Sequence, residues 1–140
     1  MTKKILIIDD EPDIRNYLMA ALDDEGYTTF GVNESEPIPE AVIKYKPDLI
    51  ILDIMMPQRA GISIYKELRV STNLSNIPIA LLSGMTYESD FNQTGLLQLL
   101  KKESIPLPNR FIDKPVNLNL LLSSIKSLFN ERNSSHVTSK

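Results

Sequence analysis

The stretch KILIIDDEPD (residues 4–13) carries an uninterrupted apolar run, Ile5–Ile8, straight into Asp9, Asp10 and Glu11, with Asp13 just beyond Pro12. A short, unbroken, β-branched run is the pattern of a strand buried on both faces, as in parallel sheets. Adjacent carboxylates repel one another, so acids stacked at the end of such a strand destabilise it unless a cation or a reaction uses them. The same sentence is written twice more. Leu49–Leu52 runs into Asp53, and Ile77–Leu82 runs into Ser83. Two more mixed runs, Tyr27–Val32 and Phe111–Ile112, complete a set of short strand candidates.

Helical spacing fills the gaps between them. Ile14, Leu18, Ala21 and Leu22 line one face of a helix that starts near Pro12 and stops at Gly26. Ala41, Val42 and Tyr45 mark a shorter helix ending before Pro47. Ile64, Tyr65 and Leu68 mark a third, and Leu96, Leu97 and Leu100 a fourth. Leu118, Leu121, Leu122, Ile125 and Phe129 mark the last. Regular alternation of strand and helix predicts a doubly wound α/β sandwich of three layers, with a parallel five-stranded sheet and right-handed crossovers.

Composition narrows the chemistry. The chain has 140 residues, enough for one domain with a real core and too few to expect two. Its 42% apolar and 24% charged residues are ordinary for a globular protein, and a net charge of −3 provides no basic footprint for nucleic acid. The absence of cysteine excludes disulfides, thiol nucleophiles and cysteine metal sites. The single histidine, His136, lies in a polar C-terminal stretch, away from any strand end. No apolar run is long enough for a signal-peptide core or a membrane span, so a cytoplasmic protein without membrane insertion is expected. Residues 132–140 are polar and read as a disordered tail after a domain over residues 1–131.

In doubly wound sheets, ligands bind beyond the C-terminal ends of the strands. Collecting the residues there gives Asp9 and Asp10, Asp53, Ser83, and Lys114 from FIDKP (residues 111–115). An acid after one strand is ordinary turn chemistry; this whole set at successive strand ends is not. Asp9, Asp10 and Asp53 would resist ionising together unless a cation sat among them. Mg²⁺ suits such a seat, because it takes a few hard oxygens, keeps waters and shares its remaining positions with phosphate. An ammonium and a hydroxyl beside it make a receptacle for a phosphoryl group. No P-loop and no GxGxxG occurs, so the phosphate need not belong to a bound nucleotide. Asp53 is the nearest nucleophile and could form an acyl phosphate.

ILIIDDEPD, PDLIILDIMMPQRAG, IPIALLSG and FIDKP, in this order between about Lys4 and Glu131, resemble the receiver domains of two-component response regulators. The resemblance implies a flavodoxin-like fold with strand order 2-1-3-4-5, an order the receiver fold is known for. It implies that Asp53 is the phosphoacceptor, taking its phosphate from a histidine kinase or phosphotransfer protein. Asp10 would bind Mg²⁺ directly, Asp9 largely through water, and the backbone carbonyl of Met55 would complete the protein ligands. Ser83 and Lys114 would hold phosphoryl oxygens, Ser83 and Phe111 would form the switch, and a cis peptide would join Lys114 to Pro115. Glu11 and Asp13 are assigned to the helix start. Pro57 and Gly61 fit the loop after the acceptor. Met55 and Met85 flank the phosphate position, which predicts slow hydrolysis. The implied partners are a downstream protein effector or an output domain outside this chain, with a possible homodimer through the face of the fourth helix, fifth strand and fifth helix.

The pattern departs from the family in one place. The interval from Ser83 to Lys114 is long, and KKESIPLPNR (residues 101–110) replaces the usual Gly-Ala. Its two prolines predict an extended loop and put a standard dimer in question. Two other functions compete. A Mg²⁺ phosphohydrolase would want an acid at position 55, which is methionine, and an inert binding scaffold would be expected to lose acceptor, metal or lysine residues that this chain keeps.

Overall fold

The three unbroken apolar runs become the three interior strands of a five-stranded sheet. The computed structural model describes residues 2–32, 36–54, 61–71, 74–84 and 93–138; the side chains of 84, 93–94 and 132–138 lie outside the description. In chain order the elements are β1 (Lys4–Ile8), α1 (Pro12–Asp24), β2 (Thr28–Val32), α2 (Ile38–Tyr45), β3 (Leu49–Asp53), α3 (Gly61–Val70), β4 (Ile79–Gly84), α4 (Gln93–Lys102), β5 (Arg110–Lys114) and α5 (Leu118–Thr138). The strands are all parallel, in the order β2-β1-β3-β4-β5. β1 and β3 are flanked on both sides and are buried and apolar over Ile5–Ile8 and Leu49–Leu52, with Asp53 the one buried charge, whereas edge strand β2 is mostly half-buried and mixed in composition.

Side-chain alternation divides the core between the two faces. Leu6, Ile8, Ile50, Leu52, Ile79 and Leu81 point to the layer built by α2, α3 and α4, where they meet Val42, Ile64, Tyr65, Leu68, Leu96 and Leu100. Ile5, Ile7, Leu49, Ile51, Ala80, Leu82 and Ile112 point the other way, onto Leu18 and Leu22 of α1 and Leu121, Ile125 and Phe129 of α5. Asp9, Asp53 and Lys114 extend the rows of Ile5–Ile7, Leu49–Ile51 and Ile112, so parity alone aims all three to the α1/α5 side of the sheet's C-terminal edge.

Local chemistry sets the element ends. Pro12 opens α1, where its missing N–H costs nothing, and Asp13 lies in the first turn near the positive pole. After the helix, Gly26 takes φ +94° and its N–H reaches the Asp23 carbonyl at 3.0 Å. Past α4, Ser104 is left-handed and the Ile105 N–H returns to the Leu100 carbonyl at 2.9 Å. Residues 105–108 then run without regular structure, as the prolines predict.

That irregular stretch is fastened to α3. The Tyr65 hydroxyl donates to the Pro106 carbonyl at 2.5 Å, and Lys66 pairs with Glu103 at 2.7 Å. Arg69, buried despite its charge, donates to the Tyr65 hydroxyl, to the carbonyls of Ser75 and Ile77, and to Asn109 Oδ1 at 2.8 Å. At the far end of the chain, the backbone of α5 continues in helical form to Thr138, past residue 131 where a polar tail is expected.

Candidate functional site

β1 and β3 deliver their acids side by side because their register, Ile8 opposite Leu52, places the residues that follow at the same height. One carboxylate oxygen from each of Asp9, Asp10, Glu11 and Asp53 lies within 4.8 Å of all the others. Asp9 and Asp53 are fully buried, Asp10 is half-buried and Glu11 is exposed. From the other side, Lys114 Nζ donates to Asp53 Oδ2 at 2.7 Å, and its side chain is only 18% exposed. A lysine this shielded and this close to a buried carboxylate is a positioned charge rather than a solvated one.

Asp9 is held tightly. Its N–H donates to the Val32 carbonyl at 3.2 Å, extending the β1–β2 pairing, and its Oδ1 accepts the Glu11 N–H at 2.9 Å. Its Oδ2 is buried and, among the described residues, has no hydrogen-bond partner. A buried carboxylate oxygen left unpaired is costly and marks a place where a cation or a ligand atom fits. Burial pushes the Asp9 carboxyl up to about 7; the Glu11 amide opposes this, Asp53 adds to it, Lys114 opposes it and Asp10 adds again.

Ser83 is buried in β4 one residue past Leu82, the register partner of Asp53, and it faces Asp113 across the β4–β5 pair. Phe111 is half-buried against the α2/α3/α4 side of the core and borders a hollow of about 220 Å³ lined also by Pro115, Asn117 and Leu120. The Lys114–Pro115 peptide is cis. Gly61 opens α3 directly behind the end of β3: a Cβ there would overlap Ile54 Cα and the Asp53 carbonyl oxygen and lie 2.8 Å from Ile54 C. Close approach, not backbone freedom, is what requires glycine at this position. Met55, Pro57 and Met85 lie outside the described residues, so the carbonyl ligand and the flanking methionines are not placed.

The structure thus brings Asp9, Asp10, Asp53 and Lys114 together, with Ser83 on the neighbouring strand. It adds Glu11, which the sequence reading assigned to the helix start. Glu11 is indeed the N-cap of α1, but its side chain makes no capping hydrogen bond and turns to the carboxylate cluster instead. Its position directly after two site acids was the available signal.

A parallel sheet in this order, with acids and one lysine converging at the C-terminal edge near the point where strand order reverses, defines a doubly wound α/β protein with its polar residues where such sheets bind ligands. Residues 5–126 match the response regulator receiver domain family, and the chain belongs to that family. It is 34% identical over 86 residues to the DNA-binding response regulator MtrA of Mycolicibacterium smegmatis, covering 61% of this chain and 36% of MtrA. It is 37% identical over 90 residues to the alkaline phosphatase synthesis transcriptional regulatory protein PhoP of Bacillus subtilis, covering 64% of this chain and 37% of PhoP. The chain therefore spans little more than a third of the length of these relatives. Among solved structures, the signal receiver domain of a signal transduction histidine kinase from Syntrophus aciditrophicus superposes with a TM-score of 0.76 at 27% identity, covering 93% of this chain and 92% of that one. MtrA and PhoP are named as regulators, which with the family match supports a role in two-component signalling. Among the described residues, no helix is long and apolar enough to cross a membrane.

Proposed function

We propose that the protein is a phosphorylation-controlled receiver that takes a phosphoryl group onto Asp53 from a phosphohistidine donor with Mg²⁺ present. The observation that carries this reading is the buried Asp53 carboxylate, fixed by Lys114 at 2.7 Å beside the unpaired Oδ2 of Asp9. Four carboxylates around one ammonium form a hard, anionic seat, so the donor set fits Mg²⁺. Asp10 and Asp53 would hold it directly, with Asp9 and Glu11 at its rim and the Met55 carbonyl as a further oxygen. Bound there, Mg²⁺ neutralises charge on the carboxylates and on the incoming phosphoryl oxygens.

In the transfer itself, an Asp53 oxygen attacks phosphorus, the P–O bond forms, and the P–N bond breaks with its electron pair leaving on the donor imidazole. The Lys114 side chain pairs with a phosphoryl oxygen, while the Ser83 hydroxyl donates to another. Phe111 then follows Ser83, and the face built by α4, β5 and α5 changes its affinity for a protein effector or an output domain. The donor is a histidine kinase or a phosphotransfer protein, and the setting is cytoplasmic.

Incubation with a small phosphodonor such as acetyl phosphate and Mg²⁺, read by intact mass, tests this. A gain of one phosphate that is absent in Asp53→Asn is expected. No gain in the wild-type chain would sink the reading and leave a phosphorylation-independent binding scaffold.

A further inference from the structure

Arg15 stands one turn into α1, outside the carboxylate cluster, and its Nη1 donates to the Asp9 carbonyl at 2.6 Å. That carbonyl belongs to the peptide between Asp9 and Asp10. Fixing its plane fixes the backbone torsions that aim both carboxylates. With the Asp9 N–H on Val32 and Oδ1 on the Glu11 amide, the Arg15 contact completes a three-point hold that leaves Asp9 Oδ2 as the unpaired atom. Arginine is suited to this task because its planar head stays charged at any working pH.

A second, independent feature points to the same contact. Gly31 sits in β2 opposite Ile7, and a Cβ there would lie 2.9 Å from Arg15 Cδ, 3.0 Å from Arg15 Cγ and 2.8 Å from Met19 Sδ. Its φ is not in the left-handed region, so backbone freedom does not explain the glycine. The absent side chain leaves the space in which the Arg15 arm lies against β2, beside Met19, with its guanidinium on the Asp9 carbonyl. Because the guanidinium is tethered to Asp9, the arm cannot swing aside without releasing it.

We propose that Arg15 is a positioning residue for the carboxylate seat, holding the Asp9–Asp10 peptide in the orientation that binds the divalent cation, with Gly31 as its clearance. The inference rests on the reading of that seat as a Mg²⁺ site. It assigns no contact between Arg15 and the cation or the phosphoryl group.

Titration calorimetry with Mg²⁺, beside amide exchange in chelator, tests it on the full chain. Arg15→Gln is expected to weaken Mg²⁺ binding about tenfold, the scale on which outer contacts tune a metal site. Arg15→Lys, which keeps a charged donor, recovers part of that loss. Gly31→Ala weakens binding in the same direction with Arg15 intact. In chelator, the Glu11 amide of Arg15→Gln exchanges faster than in wild type, while the melting temperature stays close to it. Mg²⁺ affinity within twofold of wild type in both Arg15→Gln and Gly31→Ala would overturn the proposal, as would equal losses in Arg15→Lys and Arg15→Gln. If the wild-type chain binds no Mg²⁺, the reading of the seat fails instead, and Glu11 exchange in chelator still decides whether Arg15 orders the loop.

Discussion

Asp9 carries a carboxyl that is buried, unpaired at Oδ2 and pushed up to about 7, so near neutral pH and without a cation it keeps its proton much of the time. The sign of the resulting pH dependence is opposite to that of a salt-bridged acid. In the unfolded chain Asp9 ionises near 3.8, so between that value and about 7 the folded state binds more protons. Its contribution is fully present below pH 3.8 and is lost as pH rises through 7. Urea denaturation in chelator, comparing wild type with Asp9→Asn, is expected to show the difference between them shift against wild type by on the order of 2–4 kcal/mol from pH 4 to pH 8. A difference independent of pH would contradict it. Mg²⁺ should flatten the profile, because a cation favours the ionised form. At this scale the sequence disclosed the acids and the lysine through their strand-end positions. It did not disclose Glu11 or Arg15, whose roles depend on where a helix start turns its side chains, a matter of three-dimensional reach rather than spacing.

Among the elements, the loop after α4 shows what spacing alone leaves open. The prolines of KKESIPLPNR read as a loop, and residues 105–108 have no regular structure, but the anchoring includes Arg69 on α3, a residue with no sequence mark beyond a helical position. Arg69 is 6% exposed, and the groups facing it, Tyr65, Ser75, Ile77 and Asn109, are all neutral. Asn109 uses one side-chain oxygen for both Arg69 and the Ile79 N–H, while its own N–H donates to the Ile79 carbonyl. The start of β4, the start of β5 and the end of α3 are therefore joined through one guanidinium and one amide. Replacing either takes a partner from part-buried polar groups, each worth about 0.5–1.5 kcal/mol where water can reach in its place. Arg69→Leu is expected to lower unfolding free energy by roughly 2–4 kcal/mol, and Asn109→Ala, at an exposed position, by about 1–2 kcal/mol. Because both remove the same network, the double variant should lose clearly less than the sum, measured by a denaturant double-mutant cycle. Additive losses would show that the two act separately. The order and type of the elements, by contrast, were legible, since a buried parallel strand needs apolar residues on both faces; the length of α5 was not, because its last turns carry no apolar spacing.

Taken as a whole, the molecule sets its carboxylate seat at the C-terminal edge of the sheet and the Arg69 network at the opposite pole. β5 joins the two: Asn109, just before it, is tied to Ile79 and Arg69, while Lys114 at its end is tied to Asp53. Phe111 lies near the tied lower end of this strand. A phosphoryl group on Asp53 would draw on Lys114 and Ser83, but the lower ends of β4 and β5 are tied by part-buried hydrogen bonds from Arg69 and Asn109. Movement should therefore fade along β5 from Lys114 toward Asn109, leaving residues 105–109 as a fixed support. Amide exchange with Mg²⁺ and beryllofluoride, a mimic of the acyl phosphate, is expected to change protection at Asp9–Glu11, Ser83 and Lys114. Residues 75–79 and 105–109 should stay as they are in the free protein. In Arg69→Leu the changes should spread to 105–109, since the support has lost its fastening. If those residues change protection in the wild-type chain as strongly as Ser83 does, the lower pole takes part in the switch and the support does not exist.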